Sequence, residues 1–170
     1  MSRTVREILE DRGRPEVVSV APIATVYEAI DLMSSAAVGA LPVVQEKQLV
    51  GIISERDYAR KVILKERASK STRVSEIMTM DVVTVSPGDS VSDCMHCMAE
   101  HRIRHLVVVD EGWLVGMLSL RDLLDEIIHE QAAKIDQLEH HIRGAWQVVQ
   151  EWNMTQDRDG GSAGSKELAG

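Results

Sequence analysis

Gly51-Ile-Ile-Ser-Glu-Arg-Asp57 occurs twice, the second time as Gly116-Met-Leu-Ser-Leu-Arg-Asp122. The copies lie 65 residues apart, and that offset holds without a gap from Val17/Val82 to Asp57/Asp122. Between Pro22–Asp57 and Pro87–Asp122, 13 of 36 positions are identical, which marks an internal repeat. A unit that cannot bury its apolar face alone packs on its neighbour. Two units related by a pseudo-twofold make two equivalent clefts, and clefts between units are where small ligands bind.

Composition sets the outer bounds. The 170 residues suffice for one compact domain or two small ones. Hydrophobic residues make up 44% of the chain and Phe is absent, so Val, Ile, Leu and Met must fill the core. A net charge of -8 speaks against nucleic acid as a partner. No run reaches the roughly 18 apolar residues of a membrane span. The N-terminal residues lack the apolar core of a signal peptide. Cys94 and Cys97 do not make a disulfide framework, so a reducing cytoplasm is expected.

In chain order, residues 4–10 read as a short helix, broken by Gly13 and Pro15. Val17–Val20 reads as a strand, 25–37 as a helix capped by Thr25 and Glu28, 41–44 and 49–53 as strands, and Ser54 to about Glu66 as a helix. A polar linker at 67–73 precedes a second lead-in, Val74–Met80, similar to the first (VSEIM against VREIL). Strand 82–85, helix 90–101, strands 105–109 and 114–118 and a helix from Ser119 follow. The fold class is α+β, two pseudo-twofold-related β-α-β-β-α repeats plus a long C-terminal helix. The expected division is 1–68, the first repeat with its lead-in helix; 69–130, the second repeat; 131–153, a helical extension; and 154–170, a disordered tail.

The last helix carries Leu124, Ile128, Gln131, Ile135, Leu138, Ile142, Ala145, Val149 and Trp152 at alternating spacings of four and three. This is a heptad seam, weakened at Gln131 and Gly144. It favours a partner helix, hence a homodimer, over a helix lying across its own domain.

The doubled element order, the GIISERD/GMLSLRD pair and the segment His101-Arg-Ile-Arg-His-Leu-Val-Val-Val-Asp110 together resemble a tandem pair of cystathionine-β-synthase (CBS) domains over residues 4 to about 130. The chain looks like the small stand-alone bacterial type with no attached catalytic domain. The resemblance implies a non-catalytic regulatory module. It would bind adenosine nucleotides (AMP, ATP, NAD or S-adenosylmethionine) between the repeats and report energy or redox state to a downstream protein.

Ser54-x-x-Asp57 and Ser119-x-x-Asp122 are the sharpest local signals. A carboxylate that accepts both ribose hydroxyls is a known recognition device. The resemblance assigns Asp57 and Asp122 to ribose, with Ser54 and Ser119 assisting. Serine followed three residues on by an acid is also a capping box that needs no ligand. Recurrence in both repeats favours the ligand reading, and both can hold together.

Phosphate needs cations, and Arg56–Arg73 carries seven of the 19 basic residues. Arg56, Arg60, Lys61, Arg104, His105 and Arg121 are the phosphate candidates, with Arg104 and His105 at the family's phosphate position. Their first-repeat equivalents are Gly39 and Ala40, so the clefts should be unequal. The stronger one is expected where Asp57 faces Arg104 and His105. For adenine, the resemblance points to Val18, Ser19, Val20, Val83, Thr84 and Val85, and Tyr58 offers a ring for stacking.

Two alternatives remain at this level. Arg56–Arg73 would suit a polyanion or nucleic acid, against the net acidity. Cys94-Met-His-Cys97 would suit a thiol redox sensor, with His96 and His101 nearby, although both cysteines align with core positions Ala29 and Leu32. His140-His141 lacks a third spaced metal ligand. Neither a P-loop nor G-x-S-x-G is present, and no enzyme is expected.

Overall fold

The computed structural model describes residues 3–13 and 16–159, with side chains as far as Trp152. It divides into two units, residues 1–124 and 125–170.

In the first unit, helix α1 (Val5–Asp11) precedes helix α2 (Val26–Ala36), strands β1 (Ala40–Gln45) and β2 (Gln48–Ser54), and helix α3 (Glu55–Lys61). The second repeat supplies β3 (Thr84–Val85), α4 (Val91–His101), β4 (His105–Asp110) and β5 (Trp113–Ser119), and then α5 (Leu120–Asp159) begins. Each α-β-β segment is built by the same local chemistry. Thr25/Glu28 and Ser90/Asp93 close reciprocal capping boxes on α2 and α4. Both helices end on a left-handed residue, Ala37 and Arg102. The β1–β2 and β4–β5 hairpins are antiparallel, and each carries an irregularity at the same place, Val43/Val44 and Val108/Val109. Their two-residue turns, Glu46-Lys47 and Glu111-Gly112, have positive φ throughout, the turn geometry that matches strand twist.

Some elements are shorter than the sequence suggests. The first strand of repeat 1 contracts to a bridge: the Val20 N–H donates to the Pro42 carbonyl and the Val20 carbonyl accepts from Val44. A turn at Ala21–Ala24 then ends it, and Pro22 has no N–H to extend it. In the second repeat only Thr84–Val85 pair with Val107–Val108. Helix α3 stops at Lys61; Val62 caps it, its N–H still donating to the Tyr58 carbonyl at 3.0 Å and its side chain buried. A 3-10 turn at Ile63–Lys65 follows. The second lead-in is a single 3-10 turn, Val74–Glu76, rather than a helix like α1. Helix α5 runs on to Asp159, into the stretch expected as a tail; residues 160–170 lie outside the described residues.

The lead-ins are exchanged. Helix α1 precedes the first repeat in sequence but is bonded to the second. The N–H groups of Val5 and Arg6 donate to the Asp89 and Pro87 carbonyls, both at 2.9 Å, and Val91 N–H donates to the Arg3 carbonyl at 3.0 Å. The linker does the same for the first repeat: Val26 N–H donates to the Thr72 carbonyl at 2.9 Å and Val74 N–H to the Ala24 carbonyl at 2.8 Å. Val74 and Ile77 are buried in the first repeat's core with Val26, Met33, Leu41 and Ile53.

The repeated glycines make this exchange possible. A Cβ on Gly51 would stand 2.7 Å from Met78 Sδ and 3.1 Å from the Thr79 carbonyl oxygen. A Cβ on Gly116 would stand 2.8 Å from Leu9. Each lead-in therefore lies against the hairpin glycine of the repeat it closes.

Candidate functional site

Asp57 sits in the first turn of α3, just beyond the end of β2. The Ser54 hydroxyl donates to Asp57 Oδ2 at 2.6 Å and Ser54 N–H donates to it at 3.0 Å, while Asp57 N–H donates to Ser54 Oγ at 3.2 Å. The capping box is therefore fully formed. Asp57 Oδ1 is 2.7 Å from Lys61 Nζ, which also donates to the Ile77 carbonyl at 2.7 Å.

Asp57 opens onto a cleft of about 200 Å³ between the repeats. The first repeat contributes Gly39, Ala40, Ile52, Ser54 and Arg56 to its wall. The connecting segment contributes Thr79, Asp81, Val82 and Val83, and the second repeat Ile103, Arg104 and His105. Carboxylate, guanidinium and imidazole groups from both repeats thus face one space with apolar walls.

Arg56 ties the repeats together, its guanidinium donating to the Arg102 carbonyl at 3.2 Å. His105 lies over Gly39, with Cε1 and Nε2 each 3.5 Å from where a Cβ would be. Burial, and then the Arg104 guanidinium, hold the His105 imidazole below the ordinary histidine value; Asp122 and Glu55 pull it the other way. At neutral pH His105 is therefore a neutral hydrogen-bonding group.

The second serine–aspartate pair is built alike but has a different neighbour. Ser119 N–H donates to Asp122 Oδ2 at 2.6 Å and Asp122 N–H donates to Ser119 Oγ at 3.2 Å. Asp122 Oδ1 is 2.9 Å from the Arg12 guanidinium. Burial alone would raise the Asp122 carboxyl; the Ser119 hydrogen bonds and Arg12 outweigh it and keep the group below the usual aspartate value.

The other sequence-selected residues fall elsewhere. Val83 lines the Asp57 cleft, and Thr84 and Val85 form β3. Val20 is buried in the core, Val18 is exposed, and Ser19 borders a separate groove with Trp113. The Tyr58 ring packs against the first repeat's core. Arg60 is exposed at the end of α3, and Arg121 is exposed at the start of α5. Cys94 is buried, which pushes its thiol up to about 11, and burial also raises Cys97. No cluster of three or more metal-ligating side chains occurs among the described residues.

Sequence reasoning missed Asp81, Thr79 and Ile103 in the cleft wall, and Arg12 on Asp122. The signal was present in the lead-ins. They align at an offset of 69, which pairs Val5 with Val74, Leu9 with Met78 and Arg12 with Asp81. The Asp57 cleft has a carboxylate where the Asp122 side has a guanidinium.

These features define a tandem-repeat module with a cleft at the seam between its repeats. The chain belongs to the CBS family: the CBS domain model matches residues 5–64 and again 74–129. It is similar to the mitochondrial CBS domain-containing protein CBSX3 of Arabidopsis thaliana, 36% identical over 153 residues, covering 85% of this chain and 74% of that one. Among solved structures, a protein with CBS domains from Burkholderia ambifaria MC40-6 is 48% identical with a TM-score of 0.72, covering 76% of this chain and 96% of that one. The CBS domain protein PAE2072 from Pyrobaculum aerophilum, solved in complex with AMP, is 30% identical with a TM-score of 0.63, covering 71% of this chain and 89% of that one.

Proposed function

We propose that this chain is a non-catalytic regulatory module that binds an adenine nucleotide (AMP, ATP or NAD) in the Asp57 cleft and works as a homodimer. The observation that carries the reading is the convergence of Asp57 with Arg104 and His105 on one space between the repeats. In this reading the Asp57 carboxylate takes the ribose hydroxyls and displaces Lys61, with Ser54 holding it in place. Arg104 and His105 take phosphate, and Val82, Val83 and Ile103 flank the base. The AMP complex of the relative PAE2072 supports the ligand class.

Signalling follows from where the ligand sits. A nucleotide touching both repeats favours whichever mutual arrangement it binds more tightly, by the difference in its affinity for the two. A downstream protein would read that arrangement.

The test is titration calorimetry with AMP, ATP and NAD on the native chain and on Asp57→Ala. Binding by the native chain that is lost in the variant, with the circular dichroism spectrum unchanged, is the expected result. Equal affinity in both would remove the ribose assignment.

A further inference from the structure

Helix α5 presents a stripe of exposed apolar side chains. Ile128 is 63% exposed, Ile135 56%, Leu138 63%, Ile142 58% and Val149 48%. The stripe spans about 32 Å at the helical rise. A lone helix in water gains little stability from its own backbone, so such a stripe calls for burial.

We propose that α5 pairs with the same helix of a second copy of this chain as a parallel, in-register, two-stranded coiled coil. This deepens the homodimer reading and is independent of the nucleotide site. In the heptad frame, Ile128, Ile135, Ile142 and Val149 occupy the a positions, and Gln131, Leu138 and Ala145 occupy d. β-branched Ile or Val at every a position, with Leu138 at the central d, favours two parallel strands over three or four.

Charge fixes the direction. Lys134 is at g and Glu139 at e. In a parallel pair, g of one helix faces the e position five residues further along the other, so Lys134 meets Glu139 of the second copy on both sides of the seam. An antiparallel pair centred on the same seam would instead set Glu139 against Glu139. Within the chain, Lys134 Nζ is 2.8 Å from Glu130 Oε1. Its three donors allow it to keep that contact and reach across. The Gln131 amides meet each other only when the helices are parallel and in register, where each is both donor and acceptor. A single polar layer of this kind sets register.

The test uses the full chain carrying Ile128→Cys and Ile142→Cys together, oxidised with diamide, with disulfides located by peptide mass mapping. Symmetric 128–128 and 142–142 cross-links between chains are expected; 128–142 cross-links, or none between chains, would overturn the proposal. Sedimentation equilibrium of the native chain should give a dimer, and a monomer, trimer or tetramer would overturn it. Lys134→Glu should weaken self-association about tenfold, and adding Glu139→Lys should restore it, as expected for a facing charge pair. No loss in the single variant, or no recovery in the double, would contradict the assigned direction. AMP titration of the same variants reads the nucleotide site separately.

Discussion

The guanidinium of Arg12 stands 2.9 Å from Oδ1 of Asp122, at the carboxylate that repeats Asp57 in the second half of the chain. A ribose arriving there must displace a cation delivered by a distant segment. At Asp57 a ribose would instead displace Lys61, one turn along the same helix. Arg12→Ala should therefore expose Asp122 and add a second, weaker nucleotide-binding event in calorimetry. A titration identical to that of the native chain would mean that Arg12 does not guard the site.

The Asp122 carboxyl is held below its ordinary value, so it stabilises the fold above the pKa of an unfolded aspartate, and that contribution is lost as pH falls through the depressed value. Asp122→Asn should flatten the acid side of the stability–pH curve below about pH 4. Parallel acid limbs for variant and native chain would contradict this.

His105 titrates in the opposite sense to a group already paired with an anion. Burial keeps it neutral in the free protein, and a phosphate beside it would favour the protonated form. AMP affinity should rise as pH falls from about 7.5 towards the ordinary histidine value near 6.5. His105→Ala should remove that rise, the nucleotide's own titration being common to both. Equal pH slopes would exclude His105 from the phosphate position.

Gly51 tests the exchange of lead-ins. Gly51→Ala places a methyl group against Met78 and the Thr79 carbonyl, and should cost about 1–3 kcal/mol in urea unfolding, as overpacking does. A variant as stable as the native chain would show that the close approach is not required.

Cys94 should resist thiol reagents in the folded chain, because its thiol is pushed up to about 11 and its side chain is buried. Titration with a disulfide reagent should label it only after denaturation. Rapid labelling of Cys94 in native conditions would revive the redox alternative.

The repeat was legible because Gly51/Gly116 and the serine–aspartate pairs are local: each needs only its own turn and helix start. Helix α2, its capping box and both hairpins follow from short-range spacing for the same reason. The exchange of α1 and the linker was not legible, because the partner of Val5 is set by tertiary packing with Asp89 and not by its neighbours. Unequal clefts were expected from Gly39 and Ala40 standing where Arg104 and His105 recur; in the structure all four line the Asp57 cleft together. The Arg12–Asp122 pair was not, since it depends on that exchange. Tyr58 followed a different logic: beside Asp57 in sequence, it points its ring into the first repeat's core.

The most direct measurement is calorimetric titration of AMP into the full chain, repeated on Asp57→Ala. Binding by the native protein and its loss in a folded variant is what the account predicts. Undiminished binding by Asp57→Ala, or no binding of AMP, ATP or NAD by the native chain, would contradict it.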